Sequence, residues 1–203
     1  MIKVGVTGGI GSGKSTLSNH FAKGGIPLYD SDCRAKELMN RDETLKSKIV
    51  ELFGEEAYFA GALNRPFLAE QIFKDESKRE ALNAIVHPAV RLDFLSWVDA
   101  QGDSVPYVIL ESAILFDADL TNYIDYTVAV LAPEELRITR VVNRDGCTAD
   151  QAKSRIAVQM DDNELHKRAN YSVVNIFEED LEGAAQRLDQ IFKGFAFKAN
   201  GAS

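Results

Sequence analysis

Apolar positions change period several times along the chain, and each change marks an element. Lys3-Val4-Gly5-Val6-Thr7 is a short β-branched run that predicts a strand. Residues 16–23 then read as a helix, and Gly24-Gly25 supplies its C-cap. A second short apolar run leads through Ile26 and Leu28 to Tyr29. The first 30 or so residues therefore predict a β-α-β unit and, with it, a parallel strand pair.

From 34 to 100 the period is helical, and no strand is expected to interrupt it. Leu45, Ile49, Leu52 and Phe53 share one face, and Phe67, Leu68, Ile72 and Phe73 share another. Gly54 and the stretch 61–66 punctuate the run, and His87-Pro88 predicts a break ahead of a helix over 90–98. Two continuous apolar runs follow, 105–111 and 126–131, each with the look of a strand buried on both faces. Pro133 opens a helix over 134–144, and the next helix covers about 149–160. Residues 171–176 form the last strand candidate. Leu181, Ala184, Ala185, Leu188, Ile191 and Phe192 make an apolar helical stripe after it, and the tail 198–203 is expected to be loose. The resulting expectation is an α/β fold with a parallel sheet of about five strands. Residues 1–33, 101–136 and 169–203 would form the core, 34–100 a helical insertion and 137–168 a basic helical lid.

With 203 residues and 45% hydrophobic content, the chain can bury one sizeable core. A formal net charge of −8 argues against a nucleic-acid surface. That charge is uneven, since the segment 137–168 holds seven Lys/Arg against five Asp/Glu and leaves the remainder at −10. An anionic ligand is expected there. Cys33 and Cys147 lie far apart without C-x-x-C spacing, so neither a disulfide framework nor a zinc site is expected. The N-terminus enters a strand directly and no run of about 18 apolar residues occurs, so a cytoplasmic protein with no membrane partner is expected.

Between the first strand and the first helix lies Gly8-Gly9-Ile10-Gly11-Ser12-Gly13-Lys14-Ser15-Thr16, which satisfies G-x-x-x-x-G-K-[ST] from Gly8 to Ser15. Strand, loop and helix stand in the order this motif requires. Glycines let successive N–H groups and the helix N-terminus point at one anion. Lys14 adds a mobile charge for β/γ-phosphates, and the Ser15 hydroxyl is placed to ligate Mg²⁺. A Gly-rich turn without ligand is the alternative.

Asp30-Ser31-Asp32 follows at the carboxyl end of the second strand, the edge where open α/β sheets bind ligands. Residues 30 and 32 would share a side while the chain stays extended, with Asp32 nearer the loop edge. Alternatively, Asp30 or Ser31 caps a helix starting near Cys33. The run 105–111 would deliver Glu111 to the same edge, and Glu111 and Asp117 both stay open as partners for Mg²⁺. Arg137, Arg140 and Arg144 recur at three and four residues and share a helix face, as solvated arginines also do, and Arg155 and Gln159 lie one turn apart. His87 is open between a polar helix end and a ligand contact. Together these parts describe phosphoryl transfer to a small molecule. The loop would hold the donor, Arg140 and Arg144 would neutralise the transferring group, an Asp would take the acceptor proton, and lid closure would exclude water.

Residues 7–16 and Tyr29-Asp30-Ser31-Asp32 resemble the loop and the Ile-Asp-Ala-Asp of the bacterial dephospho-coenzyme A kinases. Leu63-Asn64-Arg65 followed by Leu68 resembles that family's Leu-Asp-Arg-x-x-Leu, and residues 82–88 resemble its Leu-Asn-x-Ile-x-His-Pro. Arg140 with Arg144-Asp145, Arg155-Ile156 with Gln159, Arg168-Ala169-Asn170 and Asn175 complete a resemblance that runs through most of the chain. It implies a P-loop kinase that uses ATP and Mg²⁺ to phosphorylate the ribose 3′-hydroxyl of dephospho-coenzyme A. Asp32 would be the general base, with Lys14, Arg140 and Arg144 also catalytic. Asp32, Arg65 and His87 would contact the acceptor. Gly8, Gly9, Gly11, Ser12, Gly13, Lys14, Ser15, Thr16, Arg140 and Asn175 would hold the nucleotide, and Ser15 the metal. The chain departs from the family pattern at Ala113 through Asp117, where Pro-Leu-Leu-Phe-Glu is usual, at Asn170 for Asp and at Ser31 for Ala. Shikimate-type or nucleoside kinases and a nucleotide-binding regulatory module are the rival readings.

Overall fold

The computed structural model describes residues 1–102, 105–177 and 180–201. Along the chain the elements run β1 (Ile2–Thr7), α1 (Lys14–Lys23), β2 (Leu28–Asp30), α2 (Ser31–Arg41), α3 (Glu43–Phe53), β3 (Tyr58–Phe59), β4 (Ala62–Leu63), α4 (Arg65–Lys74) and α5 (Glu76–Gln101). Then come β5 (Tyr107–Glu111), β6 (Tyr126–Leu131), α6 (Glu134–Asp145), α7 (Ala149–Ala157), α8 (Asp162–Arg168), β7 (Tyr171–Val174) and α9 (Asp180–Gly201). They divide into two compact units, Met1–Asp30 with Gln101–Ser203, and Ser31–Ala100.

The first unit is built on a parallel five-stranded sheet in the order β2-β5-β1-β6-β7. The pair expected from the first β-α-β unit does not form, because β5 inserts between β1 and β2, with Val4 opposite Ile109 and Tyr29 opposite Leu110. Burial explains the order. All five residues of β5 are buried, so that strand needs neighbours on both edges, whereas the three-residue β2 is short enough to serve as an edge.

Helices α1 and α9 cover one face, where Leu17, Phe21, Leu181, Leu188 and Phe192 pack against Val4, Ile109, Val128 and Val130. Phe192 lies among three rings, with centroids 5.5 Å from Tyr107, 6.0 Å from Tyr126 and 5.7 Å from Tyr171. The Tyr107 hydroxyl donates to Asp189 Oδ1 at 2.7 Å, which satisfies the one polar atom that ring buries. Phe116, Ala129 and Leu165 form a smaller cluster, and the Arg168 guanidinium lies 4.5 Å from the Phe116 ring centre. Helix α9 runs to Gly201, so residues 198–201 are helical rather than loose. Ala196, packed into the core, anchors those last turns; the remainder of the expected loose tail lies outside the described residues.

At the carboxyl edge of the sheet, the connection leaving β1 turns toward β2 and the one leaving β6 turns toward β7. A crevice therefore opens beyond β1 and β6, where such sheets bind ligands. The C-terminus of α1 is a Schellman arrangement, with Ile26 N–H bonded to Phe21 O at 3.1 Å and Gly25 N–H to Ala22 O at 3.0 Å.

The second unit is helical with one exception that the apolar period did not announce. Strands β3 and β4 form a two-residue antiparallel hairpin, Tyr58 opposite Leu63 and Phe59 opposite Ala62. Ala60 and Gly61 both have positive φ, 50° and 81°, as a tight hairpin turn requires. Four strand residues are too few to show a period of two. Helix α5 runs unbroken through Pro88 instead of stopping at it. Leu82, Val86, Val90, Phe94 and Val98 are buried at every fourth position, and one stripe crossing the proline outweighs a helix-interior proline's cost of about 3 kcal/mol. Arg34 ties α2 to α5 through a bidentate pair with Asp93, at 2.9 and 2.6 Å. Among the described residues, no helix is long and apolar enough to cross a membrane.

Candidate active site

Residues 8–13 join the end of β1 to the start of α1 in a curled loop, closed by a bond from Ser12 N–H to Gly9 O at 3.1 Å. The first helical bond runs from Leu17 N–H to Gly13 O, so the N–H groups of Lys14, Ser15 and Thr16 sit in the turn that has no intrahelical partner. Three side chains take three successive carbonyls of the loop. Arg137 Nε donates to Ile10 O at 3.0 Å, Arg140 to Gly11 O at 3.3 Å and Asn175 Nδ2 to Ser12 O at 2.7 Å. Because each peptide is planar and trans, holding the carbonyls of Ile10 and Ser12 outward turns the N–H groups of Gly11 and Gly13 the opposite way. The product is a concave array of N–H groups at a helix N-terminus, suited to an anion.

This packing explains two of the glycines. A Cβ at Gly9 would lie 2.0 Å from the Arg137 guanidinium, and one at Gly13 would lie 2.1 Å from Asn175 Nδ2 at a φ of +97°. In front of the loop is a cavity of about 550 Å³, lined among others by Gly11, Lys14, Ser15, Thr16, Arg140 and Arg144.

Beside the loop, Ser15 Oγ donates to Glu111 Oε1 at 2.5 Å. Glu111 closes β5, is 6% exposed and stands opposite Asp30 of β2 in the strand register. Burial pushes its carboxyl above the ordinary range; the Ser15 hydroxyl and the Lys14 ammonium pull it back down, and Asp30 pushes it further up. Ser15 and Glu111 are hard oxygen ligands of the kind Mg²⁺ takes. No group of three or more His, Cys, Asp or Glu that could hold a metal is found among the described residues. Mg²⁺ does not require one, since it binds through one or two carboxylates together with waters and substrate phosphates.

The three arginines of α6 divide. Arg137 is 4% exposed and points into the protein, bonded also to Asp162 at 3.1 Å. Arg140 bridges the loop and Asn175 Oδ1, the latter at 3.3 Å. Arg144 is exposed and makes a bidentate pair with Asp145 at 2.7 and 3.1 Å, while Arg155 reaches the same carboxylate at 2.8 Å. The Arg144 bond, reinforced by the charges of both arginines, holds the Asp145 carboxyl below its ordinary range.

Other expected site residues fall as follows. Asp30 ends β2, but helix α2 starts at Ser31, so Asp32 stands exposed in a helical first turn. The alternation of an extended strand therefore does not set its direction. Arg65 is the exposed first residue of α4, and His87 lies partly exposed within α5. These three belong to the second unit. Asn175 is fully buried beneath the loop and supports it through the Ser12 carbonyl. Asp117 is exposed after β5, and Asn170 Oδ1 accepts from the Thr127 N–H at 2.8 Å and hydroxyl at 3.0 Å, fastening the residue just before β7 to β6. Sequence reasoning did not single out Arg137, Gln159 or Asp162 as partners of the loop. The one-turn spacing of Arg137 and Arg140 was a signal, but spacing does not tell a buried arginine from an exposed one.

The sequence model of the dephospho-CoA kinase family matches residues 2–179. A dephospho-CoA kinase from Bacteroides fragilis is 38% identical over 196 residues, 97% of this chain and 92% of the relative. A crystal structure of a protein from Thermus thermophilus superposes with a TM-score of 0.82 at 32% identity, covering 94% of this chain and 96% of that one. A shikimate kinase from Acinetobacter baumannii shares the fold, with a TM-score of 0.56 at 18% identity over 94% of this chain and 92% of that one.

Proposed function

The chain belongs to the dephospho-CoA kinase family, and from that premise we propose that it transfers the γ-phosphoryl group of ATP to the ribose 3′-hydroxyl of dephospho-CoA, giving CoA and ADP. The observation that carries the reading is the phosphate loop itself, with its carbonyls held back by Arg137, Arg140 and Asn175. The helical unit 31–100 is assigned to the acceptor, with Arg65 and His87 as its contacts; the part of the segment 137–168 that carries Arg144 and Arg155 is assigned to closure over the donor. Dephospho-CoA and ATP are small molecules, and this reading calls for a cytoplasmic location and no nucleic-acid partner.

In this mechanism the N–H groups of Gly11, Gly13, Lys14, Ser15 and Thr16 and the Lys14 ammonium hold the β- and γ-phosphates. Ser15 Oγ and the Glu111 carboxylate are the groups that would hold Mg²⁺, which when bound would supply positive charge to offset that of the phosphates. The Asp32 carboxylate takes the proton of the 3′-hydroxyl as that oxygen bonds to the γ-phosphorus and the bond to the β,γ-bridging oxygen breaks. Arg140 and Arg144 face the spreading charge of the transferred group, and closure of the segment excludes the water that would otherwise compete.

The acceptor is tested by ADP release with dephospho-CoA, shikimate and several nucleosides offered separately. We expect kcat/KM with dephospho-CoA to exceed every other by about 10³-fold or more, the scale on which polar recognition rejects a wrong acceptor. Equal turnover with shikimate or a nucleoside would overturn the assignment.

A further inference from the structure

Resting on the reading of residues 8–16 as the donor's cradle, we propose that Arg137, Gln159 and Asp162 form a latch that positions the loop and sets its affinity for the nucleotide. Arg137 precedes Arg140 by less than one turn of α6 yet is almost wholly buried behind the loop. Its Nε donates to Ile10 O at 3.0 Å, one terminal nitrogen to Asp162 Oδ1 at 3.1 Å and the other, at the longer distance of 3.4 Å, to Gln159 Oε1. The same Gln159 oxygen accepts the Ile10 N–H at 2.8 Å. One arginine–glutamine pair thus holds both backbone polar groups of Ile10. Asp162 compensates the buried charge and, through Oδ2, accepts the Ala132 N–H at 3.0 Å just beyond β6.

Two features separate a latch from ordinary packing. The guanidinium lies so close to the loop that Gly9 has no room for a Cβ. Gln159 and Asp162 belong to the stretch from the end of α7 into α8, beyond the helix that carries Arg155, so the backing of the loop comes from the basic segment itself. Releasing Gln159 frees the Ile10 peptide to rotate. A carbonyl turned forward would then present an oxygen, where an N–H is needed, to the phosphates. The latch acts on ground-state binding of the donor, whereas Arg144 faces the transferred group. The two kinds of residue should therefore divide between KM and kcat.

Calorimetric titration of ATP into the full chain tests this without any acceptor, so its outcome does not depend on which hydroxyl is phosphorylated. Gln159→Leu is expected to weaken ATP about 10-fold or more, the worth of a hydrogen bond to a charged group, and to raise the KM for ATP more than it lowers kcat. Gln159→Glu keeps an oxygen for both Ile10 N–H and Arg137 and should stay within about 3-fold of the parent, a loss well below that of one hydrogen bond. Gly9→Ala should also weaken ATP, and adding Arg137→Ala should make the double variant no worse than Arg137→Ala alone, because the clash is gone. ATP binding by Gln159→Leu equal to the parent's, equal losses in the Leu and Glu variants, or additive losses for Gly9→Ala and Arg137→Ala would each overturn the proposal.

Discussion

A single carboxylate, Asp32, carries the proton transfer in the proposed reaction. Asp32→Asn keeps size and hydrogen-bonding capacity but cannot accept the 3′-hydroxyl proton, so kcat is expected to fall by about 10²–10⁴-fold with ATP and dephospho-CoA binding little changed. Near-normal turnover, or a loss reversed by added Mg²⁺, would show that Asp32 is not the base. Glu111 makes a different prediction, because burial raises its carboxyl above the ordinary value. The native state then keeps a proton that the unfolded chain has already released, so stability falls as pH rises from the ordinary carboxyl range through the raised value, and is fully present below that range. Glu111→Gln retains an acceptor oxygen for Ser15 and removes the charge. In urea titrations the variant should match or exceed the parent above that window and converge with it at low pH, while kcat at fixed Mg²⁺ drops about 10-fold or more. A variant clearly less stable than the parent at neutral pH would contradict this account. At this scale the phosphate loop was legible because its chemistry is written in glycines. The direction of Arg137 and Arg144 was not, since both fit one helix face and only tertiary packing buries one and exposes the other.

The elements show where local pattern is enough and where it is not. Strands β5 and β6 are continuous apolar runs, and α9 carries an apolar stripe, so their burial follows from their own sequences. The hairpin at 58–63 and the course of α5 through Pro88 follow from neither period nor breaker rules. In the first, two residues per strand give no pattern; in the second, five buried side chains outvote one proline. Pro88 is thus an interior proline in an otherwise favourable helix. Pro88→Ala restores a backbone donor and removes a steric clash, and should stabilise the helical unit by about 1–3 kcal/mol. Trp97, the chain's one tryptophan, lies on the same helix and stacks near Phe94 at 6.3 Å, so its fluorescence during denaturant unfolding reports the change directly. A loss of stability would show that the proline ring makes contacts worth more than the helix it disturbs.

For the whole molecule, an α/β fold on a parallel sheet of about five strands was legible from the alternation of apolar runs and helical periods. Strand order was not, because the choice between β1 and β5 as the neighbour of β2 depends on how many edges each strand must bury. The fold gathers Lys14, Ser15, Glu111 and Arg140 around one crevice, and the proposed reaction brings the acceptor sugar to it. Phosphorus NMR of the product formed from ATP and dephospho-CoA by the intact enzyme tests that reaction. One new phosphomonoester resonance, from a phosphate on the ribose 3′-oxygen, is expected to grow in step with ADP. ADP accompanied by inorganic phosphate alone, or a phosphate at any other position, would contradict it.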